Sequence, residues 1–270
     1  MPVWTWFGIN SGKATTRWPE GDGPDGQDGV LGLPRLDPAQ CSAARDACND
    51  CVAGCPAAAI VALPEGGVGL DYARCVGCQV CTEICPHQAF SVSHDWAFGV
   101  RDRADLRSFG PPAAADAERE AQLVEALAGF GKSLHIRHVD AGSCNGCESE
   151  LGALLNPFYN LHRLGIFFTP SPRFADLLLV TGPVTMAIRE PLLRTWEAMP
   201  QPRWVMALGT CATGGGTNGG GYACHDGLDG ILPVDVWLPG CPPNPAAIIE
   251  ALLLLLRRRP QHVHGGRHES

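Results

Sequence analysis

Thirteen of the 270 residues are cysteines, and eight of those lie between positions 41 and 85. Cys75-Val-Gly-Cys78-Gln-Val-Cys81-Thr-Glu-Ile-Cys85-Pro86 has the full spacing of a bacterial [4Fe–4S] run. Three closely spaced thiolates wrap three irons of one cube, and the fourth, ahead of proline, reaches across to a second cluster. Zinc is the competing metal, but two Cys-x-x-Cys knuckles require neither a third evenly spaced cysteine nor a Cys-Pro. At an offset of 30 residues, Cys48-Asn-Asp-Cys51-Val-Ala-Gly-Cys55-Pro56 repeats the pattern. The repeat is incomplete, because the counterpart of Cys75 is Arg45 and the nearest cysteine, Cys41, stands four residues early. A longer loop brings Cys41 to the cube, which otherwise lacks a fourth thiolate; the alternative is a three-iron or labile cluster with Cys41 a bystander. Crossing the fourth ligands assigns Cys41, Cys48, Cys51 and Cys85 to one cluster. Cys75, Cys78, Cys81 and Cys55 then form the other.

A second constellation follows in Cys144-Asn-Gly-Cys147, Cys211 and Gly240-Cys241-Pro242-Pro243. Four thiolates from three separate loops suit zinc or a cube, and their chemistry alone leaves both open. Three cubes use twelve thiolates, which leaves Cys224 as a buried or idle thiol. Several polar residues nearby have structural readings. Glu148 and Glu150 open a helix, where carboxylates favour the dipole, with a proton relay as the sharper alternative. His87 follows Cys-Pro and reads as a surface histidine, or as a donor to a cluster sulfur. His135 and His138 sit on an expected strand and serve local polar contacts, and Arg257-Arg258-Arg259 suits a helix C-terminus, with a membrane-surface contact as the other reading. Glycines 214–216 and 219–221 read as a mobile loop after Cys211, or as a surface that orders against a partner. Gly12-Lys13 tempts a phosphate-loop reading, which fails because only three residues separate Gly8 from Gly12 and Ala14 follows the lysine.

The elements that must hold these cysteines fall into zones. Residues 1–40, rich in Gly, Pro and Asp, read as an extended arm. Residues 41–100 form the duplicated cysteine-rich domain, of two-fold pseudosymmetry. Residues 101–131 are a linker and helix, in which Leu123, Leu127 and Phe130 recur at helical spacing. From 132 to 270, short apolar runs at 134–139, 166–169, 177–181, 204–208 and 234–238 alternate with helical segments near 151–155, 189–199 and 246–257. That alternation predicts an α/β domain with a parallel sheet and helices on both faces. Ligands in such sheets sit in loops beyond the C-terminal strand ends, which is where Cys144, Cys147, Cys211 and Cys241 fall.

Composition narrows the function. Apolar residues make up 45% and charged residues 18%, enough to bury a core. The longest apolar run, 246–256, is interrupted by Glu250 and is well short of the ~20 residues a spanning helix needs; no export signal opens the sequence. Residues 1–130 hold 17 of the 28 acidic and 9 of the 20 basic residues, so the net charge of −8 resides there. This argues against a nucleic-acid partner, which needs a basic face.

Residues 41–92 resemble a bacterial two-cluster ferredoxin. Gly8-Ile-Asn-Ser-Gly-Lys-Ala-Thr-Thr-Arg-Trp-Pro19 is similar to the opening of ferredoxin-type subunits of energy-converting hydrogenases. The second constellation is more specific: Val139-Asp-Ala-Gly-Ser-Cys-Asn-Gly-Cys-Glu-Ser-Glu150, Pro170-Ser-Pro-Arg-Phe-Ala-Asp-Leu-Leu-Leu-Val-Thr-Gly182, Ala207-Leu-Gly-Thr-Cys-Ala212 and Val234-Asp-Val-Trp-Leu-Pro-Gly-Cys-Pro-Pro243. These resemble the small subunit of membrane-associated (group 4) [NiFe]-hydrogenases, of the formate hydrogenlyase type, over residues 134–257. The 20-kDa subunit of respiratory complex I is in the same family. Complex I subunits have adjacent cysteines in the first motif, so Cys144-Asn-Gly-Cys147 resembles the hydrogenase branch.

The resemblance implies a flavodoxin-like domain that holds a proximal [4Fe–4S] cluster on Cys144, Cys147, Cys211 and Cys241, against a large catalytic subunit. With the two upstream clusters it implies three [4Fe–4S] clusters in one fused electron-transfer subunit, which carries no complete active site of its own. The implied partners are the [NiFe]-type large subunit, membrane subunits, and a donor or acceptor such as formate dehydrogenase, carbon monoxide dehydrogenase or ferredoxin. The implied place is the cytoplasmic face of the inner membrane, held peripherally through the complex. Two alternatives are a hydrogenase-related or complex I-like quinone-reducing complex without nickel, and a non-redox module whose cysteines hold zinc.

Overall fold

The computed structural model describes residues 2–11, 18–19, 25–41, 48–111, 113, 117–128 and 133–269. Lys13, Ala14, Arg45 and Phe130 lie outside the described residues. The chain divides by its contacts into Met1–Val30 and Leu31–Ser270. In the first unit, helix α1 spans Val3–Ser11 and leaves Val3, Trp4, Trp6, Phe7 and Ile9 exposed. The arm therefore begins as a helix instead of running extended throughout.

In the second unit the cysteine-rich repeat becomes a pair of equivalent halves. Strand β1 (Arg35–Leu36), helix α2 (Asp50–Gly54) and strand β2 (Ile60–Ala62) are followed by β3 (Val68–Leu70), α3 (Val80–Ile84) and β4 (Phe90–Ser91). The two helices lie at the sequence offset of 30 residues. Each half lends one strand to the other, since β1 pairs antiparallel with β4 and β2 with β3. The turn after each helix is repeated as well. Ala58 and Gln88 have φ of 48° and 53°, the Ala58 N–H donates to the Cys55 carbonyl at 3.1 Å, and the Gln88 N–H to that of Cys85 at 3.2 Å. Because β1 lies within residues 1–40, that stretch contributes to the small antiparallel core. Leu70, Ala59, Ile60, Phe90 and Phe98 fill that core.

A 3-10 turn at Arg103–Leu106 and helix α4 (Ala117–Ala128) follow, and then a five-stranded sheet. Its strands are β5 (Leu134–Asp140), β6 (Ile166–Phe168), β7 (Leu177–Thr181), β8 (Trp204–Leu208) and β9 (Val236–Leu238). The order is β6-β5-β7-β8-β9 and every pairing is parallel. Numbered within the domain this is 2-1-3-4-5, the flavodoxin-like order. Strands β7 and β8 read as unbroken apolar runs because both faces are covered, and all ten of their residues are buried.

The helices of this layer are α5 (Gly146–Ala153), α6 (Met186–Glu197), α7 (Thr210–Gly214) and α8 (Pro245–Leu255). Expected helical segments at 151–155 and 189–199 begin earlier in the structure, at Gly146 and Met186, since helix starts carry the cysteine or cap instead of the apolar pattern. Helix α8 starts where the Asn244 side chain accepts from the Ala247 N–H at 2.7 Å, with Pro245 in its first turn. All eleven of its residues are buried, so it acts as a core helix. Arg257, at φ 56°, ends the segment.

The ferredoxin-like half is bonded into the sheet layer. Val100 and Trp237 exchange backbone hydrogen bonds of 2.9 and 2.8 Å, which covers the β9 edge. Asp71, buried, accepts from the Ala73 N–H at 2.9 Å and pairs with Arg107 at 3.3 Å and Arg103 at 3.8 Å. Arg103 Nε donates to the Thr213 carbonyl at 2.8 Å. The C-terminal hairpin β10–β11 (Val263–His264 and Arg267–His268) returns to the same linker, where the Gly266 N–H donates to the Asp105 carbonyl at 2.7 Å.

Candidate metal centres

The cysteines follow from these elements. Helices α2 and α3 place Cys51 and Cys81 inside their single turns and end on Cys55 and Cys85. Cys55, Cys75, Cys78 and Cys81 line one cavity, together with apolar Pro34, Ile60, Leu70 and Val80. The second-half cysteines thus share this cavity with a first-half cysteine. Burial pushes Cys75 and Cys81 up to about 12. Cys81, Cys55 and Cys78 raise Cys75 further, and Cys78 and Cys55 do the same to Cys81. Burial also pushes Cys51 up to about 11, with Cys85, Cys41 and Cys48 adding to it in that order. Cys41, whose repeat counterpart is missing, therefore stands within electrostatic reach of Cys51.

Each half also directs a backbone donor at sulfur. The Ala59 N–H donates to Cys55 Sγ and the Ala89 N–H to Cys85 Sγ, both at 3.3 Å. His87, exposed, is not needed for that role.

The third group lies beyond the C-terminal ends of β5, β8 and β9, the loops expected to carry ligands. The β5 loop passes through Cys144 into α5, and Gly209 turns β8 into α7, which carries Cys211. The β9 loop carries Cys241, and the Thr210 N–H donates to the Gly240 carbonyl at 2.9 Å, which ties the last two loops together. Burial pushes Cys147 up to about 12, with Glu148, Cys211, Cys241 and Cys144 contributing. Cys211 is raised to about 11 by burial, with Cys241 and Cys144 adding. Cys144 and Cys241 remain exposed at the surface.

Among the described residues, no three His, Cys, Asp or Glu side chains close on a point fit for one metal ion. Zinc, with sulfur at about 2.3 Å, draws its thiolates onto one point. In a cube each cysteine binds a different iron, so four thiols standing around a cavity fit a cluster.

Polar side chains near the third group make their own contacts. Glu148 does more than oppose the helix dipole: it accepts from Ser143 Oγ at 2.7 Å and from Thr181 Oγ1. His138 Nε2 lies 2.9 Å from Thr181 Oγ1 and 3.5 Å from Glu148, and burial lowers its affinity for a proton. His135 pairs with Asp176 at 3.3 Å, a local contact as expected. Cys224 is buried and donates to the Asn218 carbonyl at 2.7 Å. Glycines 215 and 219 approach the Asp226 carboxylate too closely for a side chain, so the loop after Cys211 folds on Asp226. Arg258 donates to the Leu164 carbonyl at 2.8 Å and Arg259 pairs with Glu250 at 3.4 Å. Sequence reasoning missed Thr210 and Thr213, buried polar residues on α7. A threonine directly ahead of Cys211 at a strand end was the available signal.

The raised thiols predict a pH response of the cluster-free protein. The unfolded chain ionises these cysteines from 9.0, whereas the folded chain holds their protons to about 11 or 12. Between those values the folded state binds more protons, so stability falls as pH rises through the window and is flat below it. Melting temperatures of cluster-free protein on either side of pH 9.0 test this; a flat profile across the window contradicts it.

Comparison with known proteins agrees with this arrangement. Residues 144–255 match the family "NADH ubiquinone oxidoreductase, 20 Kd subunit", and residues 44–92 match a 4Fe-4S dicluster domain. The chain is 39% identical to formate hydrogenlyase subunit 7 of Escherichia coli over 160 residues, 59% of this chain and 63% of that protein. It is thus aligned to less than two thirds of that relative. It is 43% identical over 148 residues to "Probable membrane-bound hydrogenase subunit mbhJ" of Pyrococcus furiosus, 55% of this chain and 87% of that one. A solved chain of the membrane-bound sulfane sulfur reductase, an archaeal respiratory membrane complex, is 36% identical with a TM-score of 0.44, covering 50% of this chain and 75% of that chain. With its flavodoxin-like sheet and a dicluster domain bonded to it, the chain belongs to the 20-kDa subunit family shared by complex I and hydrogenases.

Proposed function

We propose that this hydrogenase-related subunit is the electron-transfer subunit of a membrane-associated [NiFe]-hydrogenase complex, serving proton reduction or dihydrogen oxidation at a large-subunit metal site. Cys41, Cys48, Cys51 and Cys85 hold one [4Fe–4S] cluster, Cys55, Cys75, Cys78 and Cys81 a second, and Cys144, Cys147, Cys211 and Cys241 the third. The observation that carries this reading is that Cys55 of the first half lines one cavity with Cys75, Cys78 and Cys81 of the second. When bound, such clusters supply one-electron carriers.

The chain's residues do the rest. Leu70, Ile60 and Pro34 line the cavity of the second group, and the N–H groups of Ala59 and Ala89 donate to Cys55 Sγ and Cys85 Sγ. The large subunit sits against the exposed Cys144 and Cys241. A donor such as formate dehydrogenase, carbon monoxide dehydrogenase or ferredoxin meets the acidic N-terminal half. The Cys144-Asn-Gly-Cys147 spacing favours the nickel-bearing branch over a quinone-reducing one. Among the described residues no helix is long and apolar enough to cross a membrane, which is compatible with peripheral attachment through membrane subunits at the cytoplasmic face.

Iron and acid-labile sulfide, counted per chain on protein purified without oxygen, test this reading. The expected result is about twelve of each, and about eleven iron would mean a three-iron first cluster with Cys41 a bystander. A count of about eight leaves one group without its cluster, and zinc in place of iron removes the electron-transfer function.

A further inference from the structure

We propose that Thr210 is the positioning residue through which the Cys55/Cys75/Cys78/Cys81 group is joined to the Cys144/Cys147/Cys211/Cys241 group. The inference rests on the three-cluster reading above and adds to it the residue that couples two of its members.

Thr210 is 1% exposed; its hydroxyl and its N–H are directed at a candidate ligand residue or its neighbour, while its carbonyl accepts from the Thr213 hydroxyl at 3.4 Å. Its hydroxyl donates to the Cys75 carbonyl at 2.9 Å and accepts from the Gly240 N–H at 3.1 Å, one residue before Cys241. Its own N–H returns to the Gly240 carbonyl at 2.9 Å, and its carbonyl carbon is bonded to Cys211. One side chain therefore joins the backbone of Cys75 to the loops carrying two thiols of the third group. Only a hydroxyl can do this, since the site needs a donor and an acceptor on one atom. Valine has the same shape and supplies neither.

An electron tunnels with less loss along covalent and hydrogen bonds than across a gap. A cluster held by the second group would supply a one-electron donor, which is oxidised, and one held by the third group a one-electron acceptor, which is reduced. No atom moves, and Thr210 keeps its proton. Thr213 provides an internal comparison. It lies on the same helix, is fully buried, and its hydroxyl donates to the Ala73 carbonyl at 2.7 Å. It docks the same turn as Thr210 without bonding to any cysteine.

The test uses the full chain, purified without oxygen, as wild type, Thr210→Val, Thr210→Ser and Thr213→Val. Iron and sulfide are counted first, and a wild-type count showing no third cluster overturns the three-cluster reading together with this proposal. With iron intact, the reductant is mixed rapidly and the signal of the reduced third cluster is followed by freeze-quench paramagnetic resonance. Thr210→Val is expected to slow that signal measurably, while Thr210→Ser and Thr213→Val keep the wild-type rate. An unchanged rate in Thr210→Val at full iron overturns the proposal, as does equal slowing in Thr213→Val, which would make both residues merely structural. If Thr210→Val loses iron, Thr210→Ala repeats the test without the second methyl, under the same criteria.

Discussion

On the proposed three-cluster assignment, replacing Gly209 by alanine is expected to remove the third cluster and leave the other two in place. Gly209 has φ 88° and ψ 156°, a region open essentially to glycine alone, where another residue costs about 1–3 kcal/mol. Strain is the smaller part of the effect. A β-carbon at this position falls 2.6 Å from Cys147 Sγ, so the methyl and the sulfur cannot both stay. The backbone has little freedom to move away, because the Gly209 N–H donates to the Leu238 carbonyl at 2.8 Å and its own carbonyl accepts from Ala212 and Thr213 at 3.0 Å. Cys147 must yield, and the four-thiol set is broken. The expected loss is roughly four of twelve irons, with the two ferredoxin-type signals unchanged. Gly152→Ala is the matched control: its β-carbon meets nothing within 4 Å on the exposed side of α5 and gains about 0.5–1 kcal/mol of helix preference. Full iron in Gly209→Ala would contradict the placement of Cys147 in the third group.

Much of this arrangement was legible in the residues. The offset of 30 between the two Cys-Pro runs predicted equivalent halves, because identical spacing imposes the same single-turn helix and left-handed exit after it. The apolar runs at 177–181 and 204–208 coincide with β7 and β8, since buried parallel strands must be apolar on both faces. The run at 234–238 shrank to Val236–Leu238: Asp235 uses its side chain to accept from the Val205 N–H at 2.8 Å, a local cap that hydropathy does not register. The strand order followed only from the flavodoxin-like resemblance, and the seating of the ferredoxin-like half on α7 was not legible. That seating uses single polar contacts between residues more than a hundred positions apart, such as Thr210 with Cys75 and Thr213 with Ala73. Such pairs leave no periodicity. Threonine at these positions looks like any other strand-end residue until the fold brings a carbonyl to it.

The crossed ligand assignment makes the second large effect, because it separates sequence proximity from function. Cys55 lies seven residues after Cys48 and four after Cys51, yet it lines the cavity of Cys75, Cys78 and Cys81 and raises both Cys75 and Cys81. Cys85, four residues after Cys81, is the strongest of the cysteines acting on Cys51. Strand exchange between the halves, β1 with β4 and β2 with β3, is the reason: each helix ends where the partner half begins, so its final thiol emerges in the other half's cavity. Cys55→Ser is therefore expected to release the cluster of Cys75, Cys78 and Cys81, and Cys85→Ser that of Cys41, Cys48 and Cys51. Thiol alkylation of the purified variants, mapped by mass spectrometry, separates the cases. In Cys55→Ser, Cys75, Cys78 and Cys81 become reactive while Cys48 and Cys51 stay protected, and Cys85→Ser gives the reverse. Labelling of Cys48 and Cys51 in the Cys55→Ser protein would show that each half keeps its own fourth ligand. The two variants should also differ downstream. The cavity emptied by Cys55→Ser is the one Thr210 reaches through the Cys75 carbonyl, so that variant isolates the third group from the ferredoxin-like half. Cys85→Ser leaves this junction intact, and reductant acting on the surviving ferredoxin-type cluster still reaches the third.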